Sequence, residues 1–295
     1  MHPYGSLRLA LGLITGLVLL APPAFAQTNA ELQKQIQQAV KTIQAIEFQE
    51  QRDKNLSLGR EIYKAACMTC HGVKGDGKGP SAKWLDPRPR DFTSGIFKWR
   101  TTPYGMVPVE SDIERTIRDG VPGTDMFPFG KILSGSSRLA VARYIMHFSS
   151  QFEDPSTASP KPVLIFPLKR PFPPSDASAA KGKTLYTTNC VICHGENGDG
   201  NGPAGQAMVD SWGFPIKPWD FTRGYYKSGS TDADLFRTIT TGPYGAGMPP
   251  FGHLSEEDRW SLVDYVRSFS KRTPGLITWL LREEPSGRVY SEPAR

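Results

Sequence analysis

The sequence has no run of five or more lysines or arginines, and its 35 cations are interspersed with 29 carboxylates. A formal net charge of +6 spread in this way argues against a nucleic-acid groove, and no nucleic-acid partner is expected. Beyond residue 20 there is no apolar stretch approaching the ~18 residues that a membrane-spanning helix needs. Membrane association is therefore expected only through a complex. Cysteine and histidine are scarce, with four and five residues. The four cysteines allow no dense disulfide framework, and the five histidines leave few imidazoles for any ligand set. Apolar residues make up only 38%, whereas Gly (29) and Pro (26) are abundant. That balance points to loop-rich domains, or to domains whose core is completed by something other than side chains. A chain of 295 residues accommodates two domains of about 100 residues each.

The first 26 residues read as a secretory signal peptide: Arg8, an apolar run over 9–20, Pro22 and Pro23, then Ala24-Phe25-Ala26 before Gln27. The alternative is an uncleaved anchor, for which the run is short. Cleavage and a periplasmic location are the expectation. Residues 27–55 follow as a Gln-rich helical segment with Leu32, Ile36, Val40 and Ile43 at helical spacing. That face either docks a partner or packs on its own domain.

The remainder repeats itself. GREIYKAACMTCHGVKGDGKG (59–79) and GKTLYTTNCVICHGENGDGNG (182–202) correspond at an offset of 123. The match resumes at Asp91-Phe92-Thr93 and Asp220-Phe221-Thr222, and again at 115–130 and 237–252. Each copy closes with a helical stretch, and in the second Leu262, Val263, Val266 and Phe269 recur every three or four residues. Two domains of one fold, 56–152 and 175–272, are the economical reading. Extra residues near 101–106 in the first copy and 210–213 in the second are expected on surface loops used in partner recognition. The linker 153–174 is proline-rich and extended, and Val163, Leu164, Ile165 and Phe166 are expected to pack across the domains rather than float on a loose tether. The tail 273–295 holds Leu276, Ile277, Trp279, Leu280 and Leu281, either a partner contact or ordinary packing.

Both cysteine pairs belong to C-x-x-C-H: Cys67, Cys70 and His71, then Cys190, Cys193 and His194. On a helical turn two cysteines three residues apart reach the two vinyl groups of a haem, and the adjacent His swings beneath the iron. A single zinc site would have to join pairs more than a hundred residues apart, and a thioredoxin-like pair would need a βαβ context. Two covalent haem c groups are expected, with propionates offsetting part of the positive charge. For the sixth iron ligand, His147 and His253 occupy non-equivalent positions, whereas Met126 and Met248 correspond in Gly- and Pro-rich loops. Met106 and Met208 have no counterparts. Met126 and Met248 are thus the expected axial thioethers, although Phe127 follows the former where Pro249 follows the latter. Pro80 and Pro203 are the expected carbonyl acceptors for the haem histidines, and Arg88, Arg90, Trp84, Trp212 and Trp219 are candidates to pair with or shield propionates.

With these residues in place, the sequence resembles the class I cytochrome c family, in tandem, over residues 56–272. The resemblance implies an all-α fold, two tandem cytochrome c domains joined by the Pro-rich connector, with haem completing each small core. The runs RPRDFTSGIFKWRTTPYG and SWGFPIKPWDFTRGYYK are similar to those of di-haem cytochromes that accompany exported molybdenum oxidoreductases, such as nitrite-oxidising or hydrocarbon-hydroxylating systems. Two six-coordinate irons suit single-electron transfer between redox partner proteins, a donor oxidoreductase and an acceptor cytochrome or oxidase. No small-molecule substrate and no catalytic residue are expected. The alternative is a di-haem enzyme: a peroxidase would need an iron that opens, and a Cys-ligated thiosulfate-oxidising cytochrome would need a spare thiolate.

Overall fold

A computed structural model of the chain describes residues 29–153 and 170–270. The expected signal peptide, the Val163–Phe166 stretch of the linker and the apolar patch of the tail lie outside the described residues. Regular structure among the described residues is helical, apart from an isolated bridge between Val209 and Pro215. No described helix is long and apolar enough to cross a membrane.

Helix α1 (Asn29–Ala66) and the single turn α2 (Met68–His71) are followed by α3 (Glu110–Asp119) and α4 (Gly135–Met146). The second repeat supplies α5 (Asp176–Asn189), α6 (Val191–His194), α7 (Asp232–Thr241) and α8 (Glu256–Ser268). The chain divides into a unit ending at Asp53 and a compact unit from Lys54 onward. In the first unit the segment expected to be helical begins at Asn29, and Ile36, Val40, Ile43 and Ile46 are exposed on it. The helix does not stop at residue 55 but runs on to the first cysteine motif.

Within the compact unit each repeat is built around a crossed helix pair. A Cβ on Gly59 would overlap the Ala140 carbonyl of α4, and one on Gly182 would overlap the Ser261 carbonyl of α8. Glycine at these matched positions lets the backbones touch. Four residues on, Tyr63 and Tyr186 are almost fully buried and donate to the carbonyls of Gly72 and Gly195, each at 2.8 Å. This ties the first helix of each repeat to the residue that follows the haem-motif histidine. The apolar cores are Tyr63, Phe92, Ile113, Ile117, Val141 and Ile145 in one repeat. In the other they include Tyr186, Phe236, Trp260, Leu262, Val263 and Val266, with Phe269 packed alongside. Helix α7 begins with a capping box between Thr231 and Asp234. Both α3 and α7 end at left-handed glycines, Gly120 (φ 66°) and Gly242 (φ 62°), which turn the chain into the methionine loops.

Candidate metal centres

The C-x-x-C-H segments form single helical turns: the His71 amide donates to the Cys67 carbonyl at 2.9 Å, and that of His194 to Cys190 at 2.8 Å. All four cysteines are half-buried, and none is in a disulfide with another described residue. Burial pushes the Cys67 thiol up to about 11 and Cys190 up to about 12. Reactive redox cysteines are shifted the other way.

Burial lowers the pKa of His71 below the usual imidazole range and that of His194 to about 4. Both rings are therefore neutral near pH 7, as metal ligation requires. Each ring is stacked by the Phe of its Asp-Phe-Thr segment, His71 on Phe92 at 4.5 Å and His194 on Phe221 at 4.5 Å. The neighbours of the ring Nδ1 atoms are not the prolines expected from the sequence. The acceptor for His71 Nδ1 is the carbonyl of Arg90, 3.0 Å away, not that of Pro80. The corresponding neighbour of His194 is the Trp219 carbonyl rather than that of Pro203; among the described residues its buried Nδ1 has no partner within hydrogen-bonding geometry. The physical reason is steric. Gly79 and Gly202 pack directly on the backbone of the motif turn, with Gly79 N donating to the Cys70 carbonyl at 3.1 Å. The prolines that follow are thereby held at the turn while the Asp-Phe-Thr segment passes beneath the ring.

The methionine loops share one backbone pattern. Gly120 packs on the Met126 carbonyl and Gly242 on that of Met248, leaving no space for a Cβ. Phe129 N returns to the Ile117 carbonyl at 3.0 Å, and Phe251 N to that of Ile239 at 2.9 Å. The Phe127-for-Pro249 difference leaves this pattern intact. In the second repeat Cys190, Cys193, His194 and Met248 line one cavity of about 670 Å³, whose apolar wall includes Phe221 and Leu262. Met208, which has no repeat counterpart, also lines it. His147 and His253 are exposed, and neither lines the cavity.

The insertions expected on free surface loops instead form the contact between repeats. Thr101 and Thr102 are buried. Arg100, also fully buried, donates to the carbonyls of Thr241 and Gly242 at 3.0 Å each and lies 5.3 Å from the rings of Tyr104 and Tyr244. Trp212 stacks on Arg90, with the guanidinium 4.1 Å from the ring centre. The reason is the loop's own chemistry: buried arginine and aromatic side chains gain more against the neighbouring repeat than in water. Of the other propionate candidates, Trp219 lines the cavity, Arg88 bonds the Ala82 carbonyl at 2.6 Å, and Trp84 is 79% exposed.

The cavity falls within the ~300–1,000 Å³ typical of cofactor pockets. Its two thiols, spaced to add to a haem's vinyl groups, and its neutral imidazole and thioether, the N/S pair that would ligate the iron, fit a covalently attached haem. Residues 54–145 and 177–266, well over half the chain, match the family model described as cytochrome c oxidase, cbb3-type, subunit III. The chain is 28% identical over 236 residues to the cbb3-type cytochrome c oxidase subunit CcoP of Azospirillum sp. (strain B510), covering 74% of this chain and 65% of that protein. It is 29% identical over 109 residues to the thiosulfate dehydrogenase of Stutzerimonas stutzeri (strain A1501), covering 36% of this chain and 33% of that protein. Among solved structures it is similar to a chain of the Kuenenia stuttgartiensis reducing HAO-like protein complex. There the TM-score is 0.68 and the identity 39%, over 72% of this chain and 96% of that one. The chain spans 60 to 65% of the length of the oxidase subunits it matches first.

Proposed function

We propose, since the chain belongs to the family of cytochrome c oxidase, cbb3-type, subunit III, that it is an electron carrier rather than an enzyme, passing single electrons between exported redox proteins. It is a tandem c-type cytochrome with two haem c groups. When bound, each haem supplies a one-electron ferric/ferrous couple. Cys67 and Cys70 would hold one haem and Cys190 and Cys193 the other, with His71 and Met126, then His194 and Met248, as the residues that would ligate the irons. The observation that carries this reading is the convergence of Cys190, Cys193, His194 and Met248 on one apolar cavity.

The chain's own residues act as positioners. Phe92 and Phe221 fix the imidazole planes, and the Arg90 carbonyl holds His71 in the tautomer that leaves Nε2 free. The glycine-turned loops carry Met126 and Met248, whose thioethers would ligate the irons and so leave no open site for a substrate. Likeness to a chain of the reducing HAO-like complex supports work as a subunit or partner of a larger oxidoreductase, its donor, with a cytochrome or oxidase as acceptor. The leader-like first 26 residues support delivery to the periplasm.

Haem quantification together with optical and near-infrared magnetic circular dichroism on the purified protein tests this. Two haems per chain, both His/Met-ligated and inert to CO at rest, are expected. One haem, or a resting high-spin iron that turns over peroxide or thiosulfate, would favour the di-haem enzyme instead.

A further inference from the structure

Lys98 and Lys227 occupy the same place in the two repeats, each seven residues after the aspartate of its Asp-Phe-Thr segment. Both are half-buried, and both line the second repeat's cavity, although Lys98 belongs to the first repeat. Among the described residues neither forms an ion pair. Arg90 adds a third cation close by, and among the described residues its buried Nη1 has no hydrogen-bond partner. The acids in reach do not balance this group. Asp86 lines the cavity and Asp210 acts on Lys98, but among the described residues neither ion-pairs with a lysine, while Asp220 is engaged by Thr222 and Arg223, and Asp199 by Asn201. Cavity lysine Lys217 is likewise satisfied, by Asn201 at 2.6 Å. Burial, helped by Arg90 and Lys227, lowers the pKa of Lys98 to about 8, and burial lowers that of Lys227 as well. Desolvated cations without a directly paired counter-charge are costly, and a site that keeps them is built to receive anions.

We propose that Lys98 of the first repeat and Lys227 of the second bind the propionate carboxylates of the haem held by Cys190 and Cys193, so that this haem is clasped by both domains. The inference rests on the reading that this cavity holds a haem. It goes beyond that reading by assigning a haem contact to a residue of the other repeat. The clasp makes the second haem's potential depend on the first domain. A cation beside the propionates favours the reduced haem, whose net charge is more negative, so removing one lowers the potential.

The test uses the intact di-haem protein and its K98M, K98Q, K98R and K227M variants. Potentiometric titration followed by EPR reads the two ferric signals separately, the signal displaced by Met248→His being that of the second haem. K98M, K98Q and K227M should each lower the second haem's potential more than the first's and shift the propionate-bending bands in resonance Raman spectra. K98R, which keeps the charge, should restore the potential towards the wild-type value. Unchanged potential and Raman bands in K98M and K98Q, or a larger shift on the first haem, would overturn the proposal. That failure is distinct from failure of the haem reading itself, which would show as fewer than two haems in the wild-type protein.

Discussion

Arg100 and Gly242 lie 142 residues apart in sequence, yet the guanidinium of one donates to the carbonyl of the other at 3.0 Å. With the parallel bond to Thr241, a single fully buried side chain satisfies the carbonyl end of α7, from which the Met248 loop departs. A cation at a helix C-terminus is favoured by the helix dipole as well as by its hydrogen bonds. Arg100→Met removes the donor and leaves two buried carbonyls unpaired, so a loss of about 2–4 kcal/mol is expected. Denaturant unfolding of the haem-loaded protein measures it. A loss no larger than that of an exposed arginine variant would refute the role.

The glycine crossings give a second expectation. Gly182→Ala gains up to ~1 kcal/mol of helix propensity, but its methyl would collide with the Ser261 backbone. Overpacking of this kind costs about 1–3 kcal/mol. The net change should be destabilising, and Gly59→Ala should behave alike against Ala140. Thermal midpoints that rise on either substitution would show that the helices are less closely crossed.

Ion pairs in this molecule should differ sharply in weight. Arg170 grips Asp264 with both terminal nitrogens while both side chains are largely buried, and its guanidinium lies 5.3 Å from the Trp260 ring. Asp264→Asn takes the bidentate charge partner from a largely buried guanidinium and leaves only Asp232, 3.8 Å away, so about 3–5 kcal/mol should be lost. Lys181, on the surface between Glu257 and Asp258, should be replaceable by Met with no measurable change in the unfolding midpoint. Equal effects from the two substitutions would contradict the burial argument.

Replacing Met248 by His should exchange a thioether for a second imidazole and lower the potential of the second haem. Met248→Ala should open a site that binds CO. Met208 shares the cavity wall, so Met208→Leu is the control, and axial ligation should survive it. Loss of the thioether signature in Met208→Leu, with its retention in Met248→Ala, would exchange the two assignments.

Much of this was readable from the residues. The cysteine spacing, the 123-residue offset and the turn-forming glycines are local features, and local chemistry specifies them. The Leu262, Val263 and Val266 face is buried as its helical spacing implies. What escaped the sequence depends on chain path. The Arg90 carbonyl meets His71 because Phe92 stacks on the ring, and a backbone acceptor carries no mark in its side chain. The insertions looked like solvent loops because polar and aromatic residues also suit an interface; only the neighbouring repeat decides between the two. Met208 reaches the cavity with no repeat counterpart to announce it, and Lys98 matches Lys227 in the repeat, but only packing brings it to the other repeat's cavity.

The Arg100 contact has a consequence for a molecule made by duplication. Its repeat counterpart is Gly229, which has no side chain with which to answer. Two interchangeable halves could dock in either sense, or pair with the halves of another chain. A key cut on one half for a lock on the other removes that ambiguity, and so gives a duplicated carrier a fixed front and back.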